Sequence, residues 1–325
     1  MLPNPVVRSP AVGAPDEQDW LRHLAERLPP APAGETWVGD DAAVLAAPDG
    51  WVLLSIDSVV AGVHADLGLM GLDDVGWKAL ARGVSDVAAM GGRPWRAVVA
   101  VSGPPDVDLG HLYDGVDAAS AAFGCPVVGG DLSSADQLVV TVAVTGVVQA
   151  GEAPPVLRSG ARAGDRIWAT GPMGRAAAGL RLLRAGSVGA ATDGEAAAAL
   201  TAQRRPEPRL AAGETARRNG ATAMVDVSDG LAIDLGRLAE ASGLAAVLME
   251  VPTAPGATRE EALGGGDDYE LVICTPPDID LAGAYRRAGL DAPVPIGRCQ
   301  EGEAGAVLLD GQRLAVTGWR HWARG

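Results

Sequence analysis

The sequence predicts a two-domain protein of the mixed α/β (α+β) class, and three observations predict it. Its 325 residues exceed what one average domain holds. Strand-like apolar runs are interspersed along the chain with helical three- and four-residue repeats. The pair Pro154-Pro155 separates a β-rich first half, with covering helices, from a unit that starts afresh as strand, glycine loop and helix. Domains are therefore expected over residues 16–153 and 154–325, after a Pro- and Gly-rich segment, residues 1–15, whose composition predicts disorder.

In the first half, residues 16–28 carry Trp20, Leu21, Leu24 and Leu28 on one helical face, and Pro29-Pro30 closes that helix. Residues 38–60, VGDDAAVLAAPDGWVLLSIDSVV, place two apolar runs around Pro48-Asp49-Gly50 and predict a β-hairpin. A turn centred on Asp49 sets Asp41 opposite Asp57, with β-carbons about 5 Å apart, and facing carboxylates invite a cation. Two solvated charges at strand ends are the competing reading. His64 follows, and a lone histidine is structural more often than functional. Residues 74–92, DVGWKALARGVSDVAAMGG, predict a helix: Trp77, Leu80, Val84, Val87 and Met90 recur at helical steps, and Gly91-Gly92 stops it. Alanines fill its remaining faces, as in a buried helix. Within its apolar half sits Asp86, beside Ser85, and a carboxylate there is costly unless a cation or strong donor meets it. A local hydrogen bond that bends the helix and a metal ligand both remain open. A strand over 97–102, a helix over 109–123 and a strand over 126–128 follow. The last runs into Gly129-Gly130-Asp131, either a plain tight turn or a place where bare backbone approaches a ligand. Residues 138–148 form a further strand.

The second half opens with a strand over 165–170 and the loop Gly171-Pro172-Met173-Gly174. That loop resembles a phosphate loop but lacks the Gly-Lys-Ser/Thr of Walker chemistry. Helices are expected to Arg184, over 187–200 and over 209–218. Residues 223–230, AMVDVSDG, end a buried strand in Asp226, Ser228 and Asp229, ahead of a helix over 231–241. Ser228 or Asp229 caps that helix in the plain account; in the functional one the same geometry cradles metal and phosphate. Residues 264–269, GGGDDY, form a third glycine-rich acidic turn before a strand over 270–274, and the chain closes with GWRHW at 318–322.

A net charge of −15 argues against binding to nucleic-acid backbones and anionic membranes. It leaves room for a phosphorylated small ligand carried by divalent cations. Cys125, Cys274 and Cys299 are odd in number and widely spaced, so neither a zinc knuckle nor a disulfide framework is indicated. No leader pattern and no long apolar span is present, which sets the cytoplasm as the expected compartment. Asp41, Asp57, Asp86, Asp131, Asp226 and Asp229 all fall at expected strand ends, in glycine turns or in an apolar helix. Oxygen ligands without Cys or His clusters suit Mg²⁺, and cations bridging phosphates are the usual means of phosphoryl transfer.

The ordered motifs GDDAAVL, SIDSVVAGVHAD, KALARGVSDVAAMGG, GGDLSS, RSGARAGD, VDVSDGL and GGGDDYEL, over residues 39–271, together resemble the thiamine-monophosphate kinase family, and GWRHW extends the match. The resemblance implies a two-domain aminoimidazole ribotide synthetase-like fold. Its N-terminal β-sheet, with covering helices, would pair across a homodimer, and an α/β domain would follow. It implies Mg²⁺-dependent transfer of the ATP γ-phosphoryl group to thiamine monophosphate. By motif position, Asp41, Ser55, Ile56, Asp57, Asp86, Asp131, Asp226 and Asp229 match metal-binding positions. Tyr113, Gly130, Arg158 and Ser228 match ATP-contacting ones, and His64, Asp267 and Trp319 substrate-contacting ones. Ile56 stands where the family often has Thr, leaving only backbone as a ligand, and Asp267 stands where Glu is usual, one methylene shorter. The acceptor phosphate, with a second pKa of about 6, needs no strong general base. Direct in-line transfer is expected, with Asp57, Asp86, Asp131 and Arg158 offsetting the repulsion between anions. Rival readings are another ATP-dependent enzyme of the same superfamily, such as aminoimidazole ribotide or selenophosphate synthetase, and a non-catalytic Mg-nucleotide-binding protein.

Overall fold

The computed structural model describes residues 48–186 and 194–315, with residues 30–35 and 43–46, Trp20, His23, Glu26, Arg27, Trp37 and Gly318. Residues 1–15, most of the helix expected over 16–28, residues 187–193, Asp41 and Trp319 lie outside the described residues.

The first unit is built from β1 (Gly50–Val60), α1 (Leu72–Ala89), β2 (Arg93–Gly103), α2 (Leu109–Phe123), β3 (Val127–Ser134) and β4 (Val139–Gln149). Its strands form one sheet in the order β1-β4-β2-β3. Alternation decides the faces: Val140, Val142 and Val144 of β4 and Ala97, Val99 and Val101 of β2 are buried in one core with Leu80, Val84 and Val87 of α1 and Leu112 and Val116 of α2. On the opposite face of the sheet Val52, Leu54, Ile56 and Val98 stand exposed among the described residues, while Arg96 is held by Glu35 and lies over the Trp37 ring.

One expectation is corrected here. β1 runs antiparallel to β4, with Gly50 opposite Gln149 and Asp57 opposite Val142, and its other side is an edge of the sheet. Most of the first arm of the expected hairpin, including residues 38–42 and 47, lies outside the described residues. Gly129-Gly130-Asp131 is no turn; it lies inside β3, parallel to β2, with a register shift at Ala97/Val98. A β-carbon on Gly130 would lie 2.0 Å from the Val99 carbonyl oxygen, so strand packing alone requires glycine there.

The second unit contains β5 (Arg166–Ala169), α3 (Arg175–Arg184), α4 (Gly194–Arg204), α5 (Leu210–Arg218), β6 (Ala223–Asp226), α6 (Leu231–Ala241), β7 (Ala245–Leu248), α7 (Arg259–Gly264), β8 (Leu271–Thr275), α8 (Leu281–Arg287), β9 (Val294–Gln300), β10 (Val307–Leu309) and β11 (Gln312–Arg313). Its seven strands are ordered β11-β10-β7-β9-β5-β8-β6, antiparallel except between β10 and β7. The short strands β7, β9, β10 and β11 and helices α7 and α8 carry too little periodic pattern to be read from sequence.

Helix α1 belongs to both units. It packs on α2, β1 and β4 on one side and on α4, α5 and β6 on the other, the placement its all-round apolar surface demands. Gly91 ends it at φ +70, where a β-carbon would collide with Arg217, and the Arg217 Nε donates to the Gly91 carbonyl at 2.8 Å. Among the described residues no helix is long and apolar enough to cross a membrane.

Candidate functional site

The site begins with a polar stripe on α1. Lys78, Arg82 and Asp86 are spaced i, i+4, i+8 and share one face, with Ser85 alongside. Lys78 is 0% exposed, and a buried ammonium must be met on several sides. Its Nζ donates to Asp267 Oδ2 at 2.8 Å and to the Gln203 carbonyl at 3.2 Å. The Arg82 guanidinium donates to Asp57 Oδ1 at 3.3 Å and lies 3.5 Å from Asp267 Oδ1. Tyr269 Oη completes the set, donating to Asp267 Oδ1 at 2.9 Å.

One turn further along α1, Asp86 accepts a short hydrogen bond from Ser55 of β1, and Ser85 donates to Asp226 Oδ2 of β6 at 2.6 Å. Neither the plain helix-bending role for Asp86 nor solvation describes this, because both partners come from distant strands. Ser55 and Asp57 alternate with Ile56, so they point to the α1 side, while the Ile56 side chain, 68% exposed, points to the opposite face. Burial pushes the Asp86 carboxyl up to about 7, aided by the charge of Asp226. Burial likewise raises Asp226 to about 6, against the donor from Ser85. For Asp267 burial acts the same way but loses to Lys78 and Arg82, whose charges hold its carboxyl below the usual range.

Ser55 and Asp86 line a cleft of about 500 Å³ together with Met90, Arg158 and Met224. Asp86 and Asp226 are buried carboxylates with hydroxyl neighbours, an oxygen-only donor set whose mutual repulsion a hard divalent cation would relieve. Among the described residues no three Asp, Glu, His or Cys groups close on one point. Mg²⁺ fits such a site, since it binds through one or two carboxylates and keeps waters and substrate phosphates as its other ligands.

The turn after β6 reverses the expected capping. Ser228 and Asp229 do not cap α6; instead Asp234, in its first turn, accepts from the amides of Ser228, Asp229 and Gly230 at 3.1, 2.8 and 3.1 Å. Arg237 holds Asp229 at 2.6 Å and Asp234 at 2.7 Å. The loop 171–174 does not present its amides to a phosphate: Asp268 takes those of Gly174 and Ala176 at 2.5 and 3.0 Å, at the start of α3. Burial nevertheless pushes the Asp268 carboxyl up to about 7.

The structure thus brings Ser55, Asp57, Asp86, Asp226, Arg158 and Asp267 around α1. It does not bring Asp131 to them. Asp131 shares a row with Ala100, Thr141 and Ser58, so it sits on the far edge strand, three strand spacings or about 14 Å from β1, on the face opposite α1. Its exposed carboxylate accepts from Ser133 at 2.9 Å. Tyr113 is 7% exposed inside the first core and is not part of the wall of this cleft, with burial raising its hydroxyl to about 12. His64 closes the turn after β1, its Nδ1 accepting from the Val60 amide at 3.1 Å. Lys78, Arg82, Asp234 and Asp268 escaped the sequence reading; the i, i+4, i+8 spacing on α1 is the signal that marks the first two.

Two family models cover most of the chain: AIR synthase related protein, N-terminal domain, over residues 39–148, and AIR synthase related protein, C-terminal domain, over residues 162–310. The thiamine-monophosphate kinase of Bacillus subtilis (strain 168) is 35% identical over 269 residues, 79% of this chain and 82% of its own. A crystal structure of thiamine-monophosphate kinase from Stenotrophomonas maltophilia K279a superposes with a TM-score of 0.77 at 32% identity, covering 91% of this chain and 96% of that one. The solved complex "AaThiL complexed with AMPPCP and TMP" superposes at 0.74 with 29% identity, covering 94% and 97%.

Proposed function

The chain belongs to the thiamine-monophosphate kinase family, and on that premise we propose that it transfers the γ-phosphoryl group of ATP to thiamine monophosphate, giving thiamine diphosphate and ADP. It is an ATP-dependent phosphotransferase with a phosphate group as acceptor. The observation that carries the specific reading is the gathering of Ser55, Asp57, Asp86 and Asp226 around one face of α1, with Ser55, Asp86 and Arg158 lining the adjoining cleft.

The difficulty of the reaction is electrostatic, because an anionic phosphate must approach another. Asp57, Asp86 and Asp226 would hold Mg²⁺, which supplies neutralisation of phosphate charge. Arg158, exposed at the mouth of the cleft, meets phosphate oxygens, and Asp229 and Asp131 are further ligand candidates. Ser228 and Gly130 remain candidate nucleotide contacts, and His64, Asp267 and Trp319 candidate substrate contacts. Transfer is direct and in line, without a phosphoenzyme, since no general base or nucleophile is needed for an acceptor already ionised.

Asp131 makes sense within this reading only if a second copy supplies it. The exposed apolar face of β1 and β2 supports a homodimer joined through that side of the sheet. The cytoplasm is the compartment that goes with this reading. The test is ADP release by purified protein with Mg-ATP, offered thiamine monophosphate, free thiamine or no acceptor. Thiamine diphosphate is expected from the monophosphate alone, with no ³²P retained on denatured protein. ADP release without acceptor would point to an ATPase-like relative instead.

A further inference from the structure

We propose that Arg82 is a positioning residue that couples cation binding at Asp57 to the turn bearing Asp267; this rests on reading Asp57 as a metal carboxylate. The guanidinium spans two separate chain segments. Its Nη2 reaches Asp57 of β1 at 3.3 Å, and its Nη1 lies 3.5 Å from Asp267, between α7 and β8. Both distances are long for charge-assisted bonds, which close to about 2.8 Å when locked. Its Nε is buried without a hydrogen-bond partner. Asp267, by contrast, is gripped at 2.8 Å by Lys78 and at 2.9 Å by Tyr269. Arg82 is therefore a buried cation shared loosely between two carboxylates, fully committed to neither.

The turn it touches is one that can respond. Asp267 and Tyr269 sit at φ +66 and +52, where non-glycine backbone is strained and persists only when contacts over-determine it. Those contacts include the amide of Asp267 on the Ser228 carbonyl at 2.9 Å and that of Tyr269 on Val227 at 2.9 Å, so the turn is tied to the strand end that carries Asp226. Without metal, the Arg82 charge neutralises Asp57. A divalent cation on Asp57 competes for the same oxygen and repels the guanidinium, shifting it toward Asp267. The segment expected to meet the acceptor then tightens against α1.

Coupling of this kind is reciprocal: whatever Mg²⁺ does to the turn through Arg82, Arg82 does to Mg²⁺. The experiment titrates MgCl₂ into the full-length, nucleotide-free protein by calorimetry and follows amide hydrogen exchange of residues 264–270. Arg82→Gln is expected to bind Mg²⁺ about fivefold or more tightly than wild type, the low end of the range for coupled sites, because the competing charge is gone. Mg²⁺ is expected to slow exchange of the segment in wild type and to leave it unchanged in Arg82→Gln. Arg82→Lys keeps the buried charge, and with it the fold, but one ammonium cannot span both carboxylates. It is expected to lose the Mg²⁺ response of the segment as well. Unaltered or weaker Mg²⁺ binding in Arg82→Gln, or a response that survives both substitutions, overturns the inference and leaves the kinase reading standing. Absence of Mg²⁺ binding to the wild type overturns it together with the metal role of Asp57.

Discussion

Asp86 shows how much chemistry one residue can carry when burial opposes it. Its carboxyl and that of Asp226 are raised by burial and by neighbouring charge, so the metal-free protein holds protons there that the unfolded chain, with carboxyls near 4, has released. Folded carboxyls raised above their unfolded values weaken the fold as pH rises from about 4 to about 7, and each tenfold rise in a carboxyl's proton affinity on folding accounts for about 1.4 kcal/mol of that loss. Metal-free protein should therefore melt progressively lower across that window in calorimetry, and added Mg²⁺ should raise the melting temperature more at pH 8 than at pH 5. An equal rise at both pH values would contradict a cation bound to the ionised pair. Asp86→Asn keeps volume and an acceptor for Ser55 but removes the ligand charge. Turnover should fall by about 10²-fold or more, the scale set by losing one electrostatic group, while circular dichroism stays unchanged. Near wild-type rates would rule out the ligand role. Asp86 was legible because a carboxylate in an apolar stripe has to be explained. The ion pair of Lys78 with Asp267 was not, because its partners are 189 residues apart and neither breaks a local pattern.

At the scale of elements, α1 is seated in the first unit by close contact with α2, and glycine allows that contact. A β-carbon on Gly76 would lie 2.1 Å from the Leu112 carbonyl oxygen of α2, and one on Gly115 of α2 would lie 1.7 Å from that of Asp73. The two helices touch backbone to backbone, so neither contact can be relieved by rotating a side chain. Gly76→Ala should cost about 1–3 kcal/mol despite its better helix propensity, read as a lower urea midpoint with unchanged slope. A neutral or stabilising result would mean that the helices separate without penalty. The long helices and the 11-residue strands were legible, since each repeats its period several times. The pairing of β1 with β4, which sets Val60 opposite Val139, was not legible, because the two strands lie far apart along the chain. Pairing of that range depends on whole faces that must be buried together, which no window of sequence displays.

For the whole molecule, the exposed face of the first sheet and the position of Asp131 are both accounted for by the proposed homodimer. Leu54 and Ile56 are 76% and 68% exposed beside Val52, and contiguous apolar surface of this kind marks an interface. Asp131 lies on the same face at the opposite edge, too far from Asp57 to serve the cleft of its own chain. A two-fold axis through that face would bury both apolar patches and set the β3 edge of one copy toward the β1 edge of the other. Val52→Glu places a charge in the patch without touching the cleft or the core behind it, because Val52 lines no part of that cleft and Leu53 and Val59 point the other way. Light scattering should move the particle from twice the 32.9 kDa chain mass to that mass itself, with native circular dichroism. Turnover should fall with dimer content and recover as protein concentration is raised, since mass action restores the shared site. A monomer with full activity would place Asp131 outside the chemistry and return the exposed face to some other partner.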